Sequence, residues 1–266
     1  MKGYIYYDEE DAIRNRWFID ELIKQGASNQ LDVELLAADA ELPDDGKFVV
    51  YRGRDFEKSQ CWEQNGIVVV NRSEVNRVAN DKLQTFQLGA LLGIPSIPTR
   101  RLCSALDVRE YPIVIKTTDG HGGEEVHLCE TNAEVEQVMS RYPNRQLVMQ
   151  PYIPHNSSDV RLYLIGEDVV GAVKRTGVES FKANVSLGGT SERFEVPSPL
   201  RKFALKIAKA VKSDYIGVDF LQNEEGVWLL NEIEDPVGAR SLYETSELNV
   251  AREVMRHIHK KLFKSL

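Results

Sequence analysis

The 266-residue sequence predicts a mixed α/β (α+β) fold, and three observations support this prediction. Short apolar runs alternate with helix-patterned segments over residues 1–70, which is typical of a small domain with a parallel sheet. Glycine and two prolines at residues 93–98 then break a helical pattern and mark a candidate domain boundary. Two apolar runs at residues 215–221 and 227–233, joined by a polar turn that ends in glycine, predict a β-hairpin.

Composition restricts the class of protein. The net charge of −8 argues against nucleic acid or a membrane surface as a partner, since both favour a basic face. No apolar run is long enough to span a bilayer, and the N-terminus lacks a signal-peptide pattern. The scattered Cys61, Cys103 and Cys129 exclude a cysteine-based zinc cluster and are typical of a reducing compartment. We therefore expect a cytoplasmic protein, and whether it forms a homo-oligomer stays open.

The first third of the chain reads as strands and helices in alternation. Asn80 or Asp81 is a suitable N-cap for a helix that runs to Leu92, with Leu83 and Leu91 on its inward face. Arg52 and Arg54 follow one strand end, where ligands of open sheets bind, although two surface arginines are as good an interpretation. The predicted strands are 3–7, 31–37, 47–51 and 67–70, and the predicted helix is 12–24.

A strand that ends in Lys116 leads into a glycine-rich loop, and a further strand follows at residues 124–128. Glycine lets the backbone approach a ligand closely, so the N–H groups of such a loop can lie over phosphates. The loop is not a P-loop, because the Gly-Lys-Ser/Thr ending is missing. The alternative to a phosphate-binding loop is a plain hairpin turn that contains three glycines. His121 lies within this loop, and a surface position is the better interpretation of that residue.

Later segments continue the mixed pattern. Residues 151–154 form a hinge-like break, and strand alternation places Asp159 and Arg161 on one face. A loop is expected at residues 176–192. The further predicted helices are 131–141, 200–211 and 249–263, and the further predicted strands are 111–116, 146–150, 159–165 and 169–174.

Three acidic residues fall within the predicted hairpin. Glu232 and Glu234 point to the same side of one strand, and Asp219 lies in the middle of the other. Converging carboxylates are the ligands of a hard cation such as Mg²⁺, because unpaired carboxylates inside a sheet are costly. An acidic hairpin face that is open to water explains the same residues equally well at this point.

The order of these motifs is more specific than any one of them. The motifs follow one another along the chain in this order: Lys82, Lys116, the glycine-rich loop, Asp159-x-Arg161, Lys174-Arg175, the run Phe-Lys-Ala-Asn at 181–184, Asp219 and Glu232-x-Glu234. This order resembles the ATP-grasp superfamily, and most of all its RimK-like carboxylate–amine ligases. The resemblance implies a small pre-ATP-grasp α/β domain at residues 1–80 and a two-lobed ATP-grasp domain at 81–266. Residues 81–150 would be the first lobe with the glycine-rich flap, and 151–266 the second lobe with the magnesium site.

The resemblance also implies roles for the matching positions, with ATP and Mg²⁺ as cofactors. Positions that would contact ATP are Lys82, Lys116, Gly120, Gly122 and Gly123 at the phosphates, Gln150, Tyr152 and Ile153 at the adenine hinge, Asp159 at the ribose, and Lys182 and Asn184. Arg161 and Arg175 would face the phosphates or the acyl group, and Asp219, Glu232 and Glu234 would bind magnesium.

The sequence departs from the family pattern at three places. Pro151 stands where a hinge glutamate is common, and it cannot donate an N–H to adenine. Glu234 replaces a common asparagine and adds charge to the metal site. Asp235 and Pro236 replace small residues, which bears on the choice of acceptor substrate.

The implied reaction joins a carboxylate to an amine through an acylphosphate and releases ADP and phosphate. Arg240 is placed to bind a substrate carboxylate, with Arg52 and Arg54 as candidates across the cleft, so an acidic amino acid or peptide is the expected substrate. The alternatives are a nucleotide-binding regulatory protein without turnover and a phosphotransferase that stops at a phosphorylated product. Without metal we expect the three carboxylates to repel one another, so that Glu232→Gln raises thermal stability.

Overall fold

The computed structural model describes residues 1–123, 125–155, 157–177 and 189–263. Its strands form three sheets that follow one another along the chain: a parallel sheet of four strands, an antiparallel sheet of four strands and an antiparallel sheet of five strands. We call them the N-terminal, middle and large sheets. The α/β class is confirmed. The division at residue 80 stays a prediction, and α4 (Ser73–Ala79) ends just before it.

The N-terminal sheet has its strands in the order β2-β1-β3-β4, all parallel. Apolar side chains are buried on both faces, because α2 covers one face and α3 lies against the other. The elements are β1 (Lys2–Tyr6), α1 (Glu9–Arg14), α2 (Arg16–Ser28), β2 (Asp32–Leu36), β3 (Phe48–Tyr51), α3 (Phe56–Gln64) and β4 (Val68–Val70).

The single helix predicted at residues 12–24 is divided in two at Asn15. The Asn15 side chain and backbone N–H both donate to the Asp11 carbonyl, which ends α1 and lets α2 start in a new direction. The predicted strands of this region are confirmed to within a residue or two.

The middle sheet has the order β5-β8-β6-β7 and is antiparallel. Asp81 caps α5 by accepting from the N–H groups of Leu83 and Gln84, as its sequence position predicts. The inward placement of Leu91 is wrong, because that residue is 83% exposed and Gly89 makes the close contact with Ser96 instead. The elements are α5 (Lys82–Leu91), β5 (Arg100–Leu102), β6 (Ile113–Thr117), β7 (Val126–Cys129), α6 (Asn132–Arg141) and β8 (Leu147–Pro151).

The large sheet has the order β11-β10-β9-β12-β13. One face packs on α7, while the opposite face is apolar at one end, with Tyr163 and Tyr215, and charged at the other, with Arg161 and Asp219. The elements are β9 (Ser158–Ile165), β10 (Asp168–Thr176), β11 (Thr190–Arg193), α7 (Ser198–Val211), β12 (Tyr215–Gln222), β13 (Trp228–Glu234), α8 (Arg240–Thr245) and α9 (Val250–Phe263).

Two contacts hold the sheets together, the first near the charged end and the second at the apolar end of the large sheet. The segment 94–97 runs beside β13, where Leu230 donates to Pro95 O and accepts from Ile97 N. Helix α9 packs on α2 through a shared apolar core. Among the helices of the described ranges, none combines the length and apolar composition that a bilayer span requires.

Candidate active site

A cavity lies between the middle and large sheets, and we call it the central cavity. Strands β6, β8, β9, β10, β12 and β13 and the glycine-rich loop all contribute to its wall.

Strand register brings the charged side chains into rows across the large sheet. Arg175 on β10 lies opposite Asp159 on β9, and Asp219 on β12 lies between Arg161 and Glu232. Opposite charges on neighbouring strands attract one another. The predicted hairpin register is therefore confirmed in its main point, because Asp219 and Glu232 are direct partners.

Two arginines hold the acidic side chains by short ion pairs. Arg161 donates to Asp219 through Nε at 2.7 Å and Nη2 at 2.6 Å, and to Glu234 through Nη2 at 2.7 Å. Arg175 donates to Asp159 at 2.7 and 2.5 Å and to Asp219 at 2.7 Å. Burial opposes the charged form of Asp219, but the two guanidinium groups outweigh it and keep the pKa of Asp219 below its ordinary value.

The three predicted metal ligands converge. One carboxylate oxygen each of Asp219, Glu232 and Glu234 lies within 4.8 Å of the other two. Carboxylate oxygens are the donors that Mg²⁺ prefers, and each has more than one lone pair, so the oxygens that accept from arginine keep room for an ion. This donor set fits a magnesium ion.

The expected repulsion among these carboxylates is present, since Asp219 acts to raise the pKa of Glu232, but nearby positive charges outweigh it. Lys116 Nζ lies 3.6 Å and Lys82 Nζ 3.8 Å from Glu232 Oε1, and arginine pairs with the other two acids. Burial opposes the charged form of Glu232, but the two lysines outweigh it, and the pKa of Glu232 is lowered. The charge of Glu232 is thus stabilising in the folded protein.

Both lysines point into the central cavity. Lys116 is buried and donates to Asn231 Oδ1 at 3.2 Å, and burial lowers its pKa. Lys82, at the first turn of α5, donates to the carbonyl of Gly120 and so ties the glycine-rich loop to the helix. Sequence reasoning missed Asn231, which becomes visible only through the β-bulge that places two residues of β13 opposite one of β12.

The glycine-rich loop forms one wall of the cavity through Gly120, Gly122 and Gly123. Gly122 has a φ of +68°, which favours glycine. A Cβ at Gly120 would collide with the side chains of Thr117 and Glu125, so the loop lies closely on the strands that carry it.

The predicted hinge forms another wall through Gln150, Tyr152 and Ile153. Gln150 is buried and donates to Thr99 Oγ1 at 2.8 Å, whereas Pro151 is exposed. Asp159 also lies at the cavity, but both of its carboxylate oxygens accept from Arg175, so the geometry favours an orienting role over a contact with ribose. Lys182 and Asn184 lie outside the described residues.

A second cavity adjoins the first, and we call it the acceptor cavity. Arg240 lies at its wall, exposed and without an ion pair in the described ranges, and Arg14 and Trp17 lie there too. Arg54 pairs with Asp11 at 2.8 Å in the same wall.

Arg52 also reaches this cavity, but it is not available to a substrate. Its side chain is buried and donates to Tyr7 Oη at 3.1 Å and Val237 O at 2.5 Å. The arginine therefore fixes the loop after β13 to the N-terminal sheet.

Asp235 is a further residue whose role the sequence did not reveal. It is buried next to the acidic strand end and accepts from Asn71 at 2.9 Å and Asn76 at 3.2 Å. Burial raises the pKa of Asp235 to about 6. Asn80 also donates to the Asp235 carbonyl at 2.7 Å, so three asparagines connect the N-terminal region to the end of β13.

Comparisons with known proteins agree with this geometry. The RimK-like ATP-grasp domain matches residues 79–258. A probable alpha-L-glutamate ligase of Shewanella sp. (strain W3-18-1) is 30% identical over 238 residues, which are 85% of this chain and 78% of the relative. A glutamate–LysW ligase of Sulfurisphaera tokodaii is 26% identical over 218 residues, 77% of each chain. Among solved structures, D-alanine–D-alanine ligase from Bacillus anthracis complexed with ATP matches with a TM-score of 0.76 at 16% identity, over 99% of this chain and 98% of that one.

The chain belongs to the RimK-like ATP-grasp family. It is an ATP-dependent ligase that joins a carboxylate to an amine, and ATP is the nucleotide that the family binds.

Proposed function

We propose that the enzyme uses the central cavity for ATP and magnesium and the acceptor cavity for an acidic amino acid or a peptide that ends in one. We further propose glutamate as one of its two substrates, since relatives of this chain are named as glutamate ligases. A cytoplasmic location belongs to the same proposal, supported by Cys61, Cys103 and Cys129, none of which is in a disulfide.

One observation carries this proposal: Arg161 and Arg175 line both cavities. Each guanidinium is held by carboxylates through Nε and Nη2, while its Nη1 makes no hydrogen bond within the described ranges. A guanidinium that is fixed on one edge and free on the other is preorganised to bind oxyanions. The two arginines thus lie where a phosphoryl group in one cavity and a carboxylate in the other would meet.

The chemistry follows in two steps. A substrate carboxylate oxygen attacks the γ-phosphorus of ATP, the bond to the β-phosphate oxygen breaks, and ADP leaves. The amine nitrogen then attacks the acyl carbon, a C–N bond forms, and phosphate leaves with the oxygen that linked it to carbon. Lys82 and Lys116 would offset phosphate charge, and the glycine-rich loop would exclude water.

Asp219, Glu232 and Glu234 would hold Mg²⁺, which when bound neutralises phosphate charge and orients the phosphates. The protein's own part is to hold these carboxylates in place. Arg161 and the two lysines do this in the absence of the ion.

The experiment that tests the proposed function measures ADP release and product mass with a panel of acids. The panel contains glutamate, aspartate and short peptides that end in either, each with hydroxylamine as the nucleophile. We expect ATP-dependent formation of a hydroxamate with at least one acidic compound and none with neutral amino acids. Release of phosphate without a hydroxamate from any acid would contradict the ligase step.

Arg240→Lys is expected to raise the KM for the acidic substrate by about tenfold, since lysine keeps the charge but loses the planar fork that binds a carboxylate at two points. The KM for ATP should change by less than about twofold, because Arg240 lies outside the central cavity. Initial-rate kinetics check this, with Arg201→Lys on the exposed face of α7 as the control. An equal loss for both substrates would place Arg240 at the phosphates instead.

A further inference from the structure

His121 lies at a point where three cavities meet. It lines the central cavity, the acceptor cavity and a third cavity on the outer side of the glycine-rich loop, which we call the outer cavity. The outer cavity runs between α4 and Arg145 and also has Arg54 in its wall. We propose that His121 is the general base that accepts a proton from the substrate amine during formation of the C–N bond. This proposal rests on the proposed function, and it adds a catalytic residue to that reaction.

The reacting atoms must lie where the central and acceptor cavities join, so the base is sought among the residues that both cavities share. These residues are His121, Gly122, Arg161, Arg175 and Glu234. Gly122 has no side chain, and the two arginines are permanently charged donors that cannot accept a proton. Glu234 is already paired with Arg161 at 2.7 Å. Among the shared residues, His121 is thus the one whose basic nitrogen is not paired with another residue of the described ranges.

Asp11 is a competing base in the acceptor cavity. Its carboxylate pairs with Arg54 at 2.8 Å and with Arg14 at 3.6 Å, and it does not line the central cavity. Asp11 is therefore both occupied and farther from the junction than His121.

Two contacts anchor the loop just before His121. Gly120, just before it, accepts from Lys82 at the start of α5. Asp119 pairs with Arg145 at 2.8 Å. A general base must be held in position as well as be basic, and these contacts fix the backbone next to the imidazole.

Partial burial of His121, more than the charges around it, favours its neutral form. The side chain is solvent-exposed overall, but the cavity walls remove part of its hydration, and this lowers the pKa of His121. Arg54 and Lys82 also lower this pKa. Asp11 and Glu234 act in the opposite direction and raise it. Further charged groups lie on the outer cavity: Arg77, Asp81, Asp119, Glu125 and Arg145. A neutral imidazole at pH 7 can take a proton, whereas a charged one cannot.

The proton balance of the step is simple. The neutral amine attacks the acyl carbon, its nitrogen gains the bond to carbon and becomes positively charged, and one N–H proton passes to a ring nitrogen of His121. The carbon–oxygen bond to phosphate breaks, phosphate leaves with that electron pair, and His121 later returns the proton to water.

The test compares two nucleophiles in the same enzyme. Hydroxylamine is neutral at pH 7 and attacks acylphosphates without a base, so hydroxamate formation reports the first step alone. Coupling to an amino-acid amine, with glutamate as the amine, reports the second step as well. We expect His121→Gln to lower the rate of amine coupling by about 10²-fold or more, the usual contribution of a general base, and to leave hydroxamate formation within about twofold of the parent.

The pH profile gives a second readout that a merely structural role would not change. In the parent, the kcat for coupling should fall as pH falls through the pKa of His121, and this acid limb should be absent in His121→Gln. His127→Gln is the matched control, since that imidazole contacts Tyr142 on the far side of β7. Thermal melting of each variant checks its fold.

The outcomes are distinguishable. If the parent forms a hydroxamate and His121→Gln couples amines at the parent rate, or if coupling and hydroxamate formation fall equally, His121 is not the base. An unchanged acid limb in the variant would overturn the assignment too. If the parent itself forms no hydroxamate with any acid, the proposed function fails, and the role of His121 fails with it.

Discussion

Glu232→Gln is expected to lower the rate of ligation by at least about 10²-fold at ordinary magnesium concentrations, which is a typical cost of losing one group that stabilises phosphoryl-transfer charge. The substitution keeps the shape of the side chain and removes one of three converging carboxylate charges. ADP release measured over a range of Mg²⁺ concentrations checks the prediction. Excess Mg²⁺ should recover part of the rate, because weaker binding is offset by mass action.

The matched control is Glu225→Gln, the same change in the exposed turn between β12 and β13. It should leave the rate unaltered. Parent-like turnover by Glu232→Gln would mean that the acidic strand end is a solvated surface and not a metal site.

Glu232→Gln should also melt at a lower temperature than the parent protein in metal-free buffer. The pKa of Glu232 is lowered in the folded protein, so its charge stabilises the fold above the ordinary pKa of a glutamate, and this contribution is lost as pH falls. Removing the charge leaves the buried Lys116 without its nearest anion, at 3.6 Å. A higher melting temperature for Glu232→Gln than for the parent would instead show that repulsion among the three acids dominates.

Arg161→Met is expected to cost about 3–5 kcal/mol of folding free energy, the usual effect of removing one partner from a buried ion pair. Arg161 is buried and supplies three hydrogen bonds to Asp219 and Glu234, so its loss removes the arginine paired with Glu234 and leaves Asp219 paired with Arg175 alone. Mg²⁺ should then stabilise the variant more than the parent, because the ion replaces part of the missing positive charge. Chemical denaturation with and without Mg²⁺ measures both effects.

Two variants make this result interpretable. Arg193→Met changes an exposed arginine on β11 and should leave the unfolding free energy nearly as in the parent. Arg161→Lys keeps a charge but loses the two-point contact with Asp219, so it should fall between the parent and Arg161→Met. An Arg161→Met variant as stable as the parent, with no added response to Mg²⁺, would show that the arginine–carboxylate network does not hold this site together.

Much of the fold could be predicted because apolar periodicity is local. The helix at Ser198–Val211 and the strand at Ser158–Ile165 follow directly from alternation and helical spacing. The break at Asn15 and the exposure of Leu91 could not be predicted in the same way, because they depend on a hydrogen bond from the Asn15 side chain to the Asp11 carbonyl and on how closely α5 approaches Ser96.

The candidate site shows the same limit. The residue types and their order along the chain predicted most of the charged side chains that meet in the central cavity, while Lys182 and Asn184 lie outside the described residues. Pairing among them depends on strand register, which is why Arg175 with Asp159, and Arg161 with Asp219, emerged only in the structure. Asn231 was missed because a β-bulge turns it toward Lys116.

The central claim is that Asp219, Glu232 and Glu234 form one metal site next to the nucleotide. Anomalous diffraction from crystals grown with Mn²⁺ and a non-hydrolysable ATP analogue tests it most directly. We predict a manganese peak within about 2.6 Å of oxygens from at least two of these carboxylates, the coordination range of hard cations, with the analogue in the central cavity. A nucleotide bound there without a metal peak at these acids, or a peak at another acidic group, would contradict the claim.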